Sequence, residues 1–171
     1  MTGFAQHADY REVPSRESAM PATTTSTSLL ARAARIHAAA AQFCDRLQPL
    51  AALALRLYVA RVFVLSGLTK VDDWSLTVAL FENEYRVPLL SPAIAAFAGT
   101  AVEFVLPILL LLGLCTRFAA VALFAFNVVA VISYPDLSDA GFKDHVLWGA
   151  LLVVLAVYGP GRFALDRFLA R

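Results

Sequence analysis

Charge is scarce in this chain. Only 16% of its 171 residues are Asp, Glu, Lys or Arg, while 60% are hydrophobic, above the roughly 45–50% of soluble domains. The few charges fall mostly outside long apolar runs. That pattern excludes an ordinary soluble globule and points to a polytopic membrane protein built as one compact bundle. A net charge of +1 leaves no basic footprint for nucleic acid. Cysteine is also rare: Cys44 and Cys115 are far apart and form no CxxC pattern, which excludes a disulfide framework and a zinc site signalled by spacing. The only methionines are Met1 and Met20, so no Cys/His/Met ladder for copper crosses the apolar runs. One histidine, His145, lies in the membrane zone; a membrane b-type haem takes two axial histidines, so the chain is not expected to hold one alone. No internal repeat is visible, so an inverted-repeat transporter is not signalled.

What is present is organised around Ala93–Gly113, AIAAFAGTAVEFVLPILLLLG. A run of this length spans the hydrocarbon core as a helix. It contains one charge, Glu103, at its centre. A carboxylate there costs about 2.5–3.5 kcal/mol on insertion scales, so it is expected to face the bundle interior and to have a partner. Gly99, Glu103 and Pro107 are spaced four apart and share one face.

The other segments follow from period and punctuation. Residues 1–28 mix charge, proline and a Ser/Thr run without an apolar period and read as a disordered cytoplasmic tail. They contain no apolar core of a signal peptide. Residues 29–48 place Leu29, Ala33, Ile36, Ala40, Phe43 and Leu47 at helical spacing, with Arg32, Arg35 and Arg46 elsewhere on the wheel. This predicts an amphipathic helix in the membrane interface, separated by Pro49 from the first span. Residues 50–171 form a four-span membrane domain. Its spans are predicted at Leu50–Thr69, Ala93–Gly113, Phe118–Tyr134 and His145–Tyr158, with Pro135–Asp144 as a loop. Between the first two spans, Asp72–Leu90 is too polar to cross. Asp73 or Ser75 can cap a short half-buried helix there, with Leu76, Ala79, Leu80 and Phe81 on its apolar side. The fold expected is therefore all-α: a four-helix transmembrane bundle with an N-terminal interfacial helix and a half-buried outer helix.

Arg32, Arg35, Arg46, Arg117, Arg162, Arg167 and Arg171 gather on one side of these spans. The other side carries Lys70, Arg86 and Lys143 among seven carboxylates: Asp72, Asp73, Glu82, Glu84, Asp136, Asp139 and Asp144. The positive-inside rule puts both termini in the cytoplasm.

Two constellations stand out. Arg56 can snorkel from the first end of span one, but Arg61 lies about 16 Å along it at 1.5 Å rise per residue. Glu103 reaches similar depth from the opposite surface, and Asn127 is mid-depth in span three. A buried cluster of Arg61, Glu103 and Asn127 is expected, either handling a proton or a quinone headgroup or fixing helix register as a structural clamp. The second lies at the outer surface: Lys70, Trp74, Glu84, Tyr134 and His145, with Glu82 and Asp144 nearby. Its readings are a hydrogen-bonded interfacial histidine, a substrate or quinone contact, or a metal held by His145 and carboxylates, for which the spacing is unspecific. Cys115 beside Arg117 reads as a small turn residue.

Ser66-Gly67-Leu68-Thr69-Lys70 closing an arginine-bearing first span, midspan Glu103 followed by Leu112-Gly113-Leu114 and Thr116-Arg117-Phe118-Ala119-Ala120, and the closing Gly159-Pro160-Gly161 with Leu165-Asp166 together resemble the DoxX family. The resemblance runs from about Leu53 to the end of the chain. It implies a four-helix inner-membrane protein in a redox setting, some members being associated with thiosulfate:quinone oxidoreduction and others with oxidative-stress or thiol-redox complexes. Phe81–Tyr85, Val87-Pro88, Ile132–Pro135 and Asp144-His145 are similar to the HvfX-type subgroup found with copper-binding modified-peptide pathways. The expectation is an accessory redox-associated subunit that works with a partner enzyme and has no cofactor motif of its own, quinone being the compatible ligand. The alternatives are a non-enzymatic partner for maturation or export in a peptide pathway, and a structural membrane scaffold. Membrane lipid and a protein partner are the contacts implied.

Overall fold

The computed structural model describes residues 24–159 and 161–166, with side chains from Leu29. Residues 1–23 of the tail lie outside them. Two compact units divide the chain, Met1–Gln42 and Phe43–Arg171. Among the described residues the elements are five helices: α1 (Thr24–Asp72), α2 (Trp74–Asn83), α3 (Pro92–Leu112), α4 (Thr116–Ser133) and α5 (Asp139–Tyr158). Four of these, all but α2, are long and apolar enough to cross a membrane.

In the first unit the described stretch is helical, and Leu29, Leu30 and Ile36 are exposed together with Arg32 and Arg35. Pro49 does not separate an interfacial helix from a span, because α1 runs through it unbroken. A proline inside a helix frees the carbonyl four residues back, here that of Asp45. Asp45 is exposed, so that carbonyl can find an outside partner and the helix continues.

The bundle belongs to the second unit. Its main core joins Val59 and Phe63 of α1, Leu110 of α3, Ala119, Ala120 and Leu123 of α4, and Leu152 and Leu155 of α5. Small residues set the close approaches, as membrane helices require. A side chain at Gly67 of α1 would come within 3.0 Å of the Phe104 ring and 3.3 Å of Glu103 Cβ on α3. Outside the core, Phe97, Val105, Phe118, Ile132, Val146 and Val157 are exposed, the face a lipid-embedded bundle turns outward.

The caps explain most boundaries. Asp73 caps α2 by accepting from Leu76 N–H at 2.9 Å. A smaller core of Phe81, Ala95 and Ala96 holds α2 on the first half of α3, as the half-buried reading requires. Leu76, expected on the apolar side, is exposed instead. Gly113 ends α3 at φ +70°, the left-handed conformation that favours glycine. The predicted loop before α5 is shorter than expected. Ser138 caps that helix by accepting from Gly141 N–H at 3.1 Å, and Asp139 sits favourably in its first turn.

Candidate functional site

Lys70 lies one turn after Ser66 on the same face of α1. Opposite them is Glu103, midway along α3 and 4% exposed. Lys70 Nζ donates to Glu103 Oε1 at 2.7 Å, to Glu103 Oε2 at 2.8 Å and to Ser66 Oγ at 3.0 Å. The Ser66 hydroxyl donates to Glu103 Oε1 at 3.1 Å. All three ammonium protons are committed, and the charges cancel. Such closure is what lets a carboxylate persist inside a membrane.

This replaces the predicted Arg61–Glu103 pair. Arg61 is exposed on the outer face of α1. Depth counting placed it opposite Glu103, but the Gly67 contact fixes the register about 9 Å further along α1, at 1.5 Å per residue. The buried arginine is Arg56, at 0% exposure, which was expected to snorkel. Asn127, the third member of the predicted cluster, is buried elsewhere. Its Oδ1 lies 2.7 Å from His145 Nδ1, and its amide Nδ2 donates to the His145 carbonyl at 2.9 Å. With the amide bound to a carbonyl, Oδ1 faces the ring, so Nδ1 is the protonated nitrogen in the neutral imidazole.

A cavity of about 370 Å³ joins these groups. Ser66, Lys70 and Glu103 line one part of it, and Ser133, Tyr134, His145 and Trp148 another. Its other walls are mostly apolar and include Phe63, Val102 and Phe126. Three near-parallel rings stand along it: Phe81 and Tyr85 at 4.7 Å between centroids, then Tyr85 and Tyr134 at 5.0 Å. Trp148 meets His145 edge-on at 4.9 Å and Phe63 at 6.2 Å. Exposed Leu90 and Val129 contribute to the lining, so the space is partly open.

Of the predicted outer-surface group, Lys70, Tyr134 and His145 line this cavity. Trp74 and Glu84 are exposed and do not. The charge of Glu84 is instead the chief cause that pushes the Tyr134 phenol up, followed by burial. Burial pushes the Tyr85 phenol up, aided by the Tyr134, Glu103 and Glu84 charges. Both rings therefore keep their hydroxyl protons at neutral pH. Among the described residues no three His, Cys, Asp or Glu side chains are grouped to hold a metal ion.

Sequence reasoning missed Ser66, Ser133 and Tyr85 as site residues. Ser66 and Lys70 at i and i+4 carried a usable signal. Ser133 carried none: it is 2% exposed and its Oγ has no hydrogen-bond partner among the described residues.

The DoxX family model matches residues 51–135, which include α1 from Ala51, the Lys70–Glu103 pair, Asn127, Ser133 and Tyr134. A Haemophilus influenzae protein of uncharacterised function is 30% identical over 128 residues, covering 70% of this chain and 83% of the relative. The chain belongs to the DoxX family. It is accordingly a multi-pass membrane protein, and the family match ends just after Ser133 and Tyr134. No solved structure matches it.

Proposed function

We propose that this DoxX protein is an accessory redox-associated subunit of a bacterial inner membrane, which binds a quinone headgroup beside a partner enzyme. The observation that carries the reading is the cavity itself. A space of about 370 Å³ falls in the range of roughly 300–1,000 Å³ typical of small-molecule sites. Its apolar and aromatic walls suit a planar ring that arrives from lipid. Its polar groups are few and the charged pair among them is held in place, which is how such sites orient a ligand. The sequence carries no visible cofactor motif of its own, and on this reading a partner brings the electron carrier. The basic residues Arg117 and Arg162 at one end of the bundle, against Asp72, Asp73 and Asp139 at the other, support an orientation with both termini in the cytoplasm.

The test is extraction of lipid-soluble quinone from protein purified in mild detergent. The wild type should carry quinone down with it. Ala98→Phe, which places a ring in the cavity lining, should lose it while melting at an unchanged temperature. Equal quinone in both samples, or none in the wild type even after reconstitution with it, would refute the proposal.

A further inference from the structure

The hydrogen-bonding inventory of the cavity is lopsided. Lys70 has spent its three donors on Ser66 and Glu103, and Ser66 has spent its proton on Glu103. The Asn127 amide is taken by the His145 carbonyl, and the His145 Nδ1 proton by Asn127 Oδ1. What remains on the lining residues is an acceptor, Nε2 of the neutral His145 ring, with the Trp148 indole N–H and the Ser133 hydroxyl, which is buried without a partner among the described residues. The serine and the two phenols can donate or accept, and the Trp148 N–H can donate to a hydroxyl oxygen as well as to a carbonyl oxygen, so none of them discriminates between the two forms. His145 Nε2 does discriminate. A hydroxyl pointed at it gains a hydrogen bond, whereas a carbonyl oxygen pointed at it opposes lone pair to lone pair.

We infer that the cavity prefers the reduced, dihydroxy form of a planar ring over the oxidised dicarbonyl form, with His145 Nε2 accepting one hydroxyl proton and Ser133 Oγ the second polar contact. This rests on the quinone-site reading above. Asn127 is the positioning residue. Its Oδ1 holds the proton on Nδ1, which keeps Nε2 an acceptor, as a fixed second partner does for any histidine.

The experiment uses the full chain in lipid nanodiscs, in a Trp74→Phe background, so that Trp148 in the cavity wall is the sole indole. A short-chain benzoquinone and its hydroquinone are titrated separately, under air and under anaerobic reducing conditions, with Trp148 emission as the readout. The hydroquinone should bind about 10-fold tighter, the worth of one hydrogen bond gained against one opposed. His145→Phe, which keeps the ring and removes the acceptor, should bring the ratio to about 1. Ser133→Ala should weaken both forms alike. A separate measurement on the unmodified protein guards against misfolded variants. A 10-fold preference for the reduced form raises the midpoint of the bound two-electron couple by about 30 mV relative to the free one. Quinone binding as tight as hydroquinone, with an unshifted midpoint, overturns the inference and leaves the quinone-site reading standing. Binding of neither form overturns both.

Discussion

Two cations on one helix, Arg56 buried and Lys70 half-buried, are treated in opposite ways. Arg56 is fully buried near the end of the bundle that holds Gly113 and Ala164. Its Nη2 donates to the Phe163 carbonyl at 2.8 Å, and its Nε and Nη1 have no partner among the described residues. The packing beside it is close: a side chain at Gly113 would run into Arg56 Nη1 and lie 2.6 Å from Ala164 Cβ. The 163–166 segment is fastened there. Asp166 accepts from Cys115 N–H at 2.6 Å and from Thr116 N–H at 2.9 Å, and its own N–H donates to the Gly113 carbonyl at 2.9 Å. Lys70, about 21 Å further along α1 at 1.5 Å rise, is fully hydrogen-bonded and faces open space. One end accepts an imperfectly satisfied cation within tight packing, and the other satisfies its cation and leaves a void. Imperfect bonding with close packing is what a fastening tolerates; a satisfied pair beside a cavity is what a binding site needs.

The contrast predicts which substitutions hurt most. Glu103→Gln should have the largest effect, about 3–5 kcal/mol, because it leaves the Lys70 ammonium without its counter-charge. Unfolding in mixed detergent micelles measures this. The Lys70→Met, Glu103→Leu double variant should return to within about 1 kcal/mol of wild type, since a matched apolar pair replaces a buried ion pair at little cost. Failure of that rescue would mean that the triad does more than neutralise itself.

Gly113→Ala comes next, at about 2–4 kcal/mol, because it combines a left-handed backbone with a clash against Arg56 and Ala164. The matching change at the cavity, Gly99→Ala, should be nearly silent, within about 0.5 kcal/mol by the same assay. Its new carbon would meet Phe81 at 3.7 Å and Phe126 at 3.8 Å, ordinary contacts. Equal costs at the two glycines would erase the packing difference between the two ends.

Asp166 offers a pH test. Burial raises its carboxyl, but the hydrogen bonds from Thr116 and Cys115 and the attraction of Arg56 outweigh it and hold the group below the usual carboxylate range. A depressed folded value means that its stabilisation is present above the ordinary carboxylate pKa and is lost as pH falls through the folded value. Asp166→Asn should cost about 1 kcal/mol at neutral pH, the worth of a helix N-cap. The gap between variant and wild type should close on acidification toward pH 3. Melting curves across that range decide it, and a gap independent of pH would show that the charge of Asp166 is irrelevant to the fastening.

The sequence by itself determined the four apolar helices, the short capped helix at Asp73, and the burial of Gly99, Glu103 and Pro107 on one face. These are local matters, set by hydrophobic period, run length and capping chemistry. It also showed that Glu103 needs a partner, because a lone carboxylate in hydrocarbon is too costly. It did not show which partner. Counting residues from span ends assumes that helices begin and end at the same planes, and α1 does not: it passes through Pro49 and continues to Asp72. The contact of Gly67 with Phe104 and Glu103 sets the offset, exchanging Arg61 for Lys70 as the ion-pair partner and burying Arg56 instead. Likewise no spacing announces that Asn127 turns to His145, or that Ser133 is buried beside a cavity without a partner among the described residues. Those facts depend on helix rotation and register between distant segments, which side-chain packing decides only when the bundle closes.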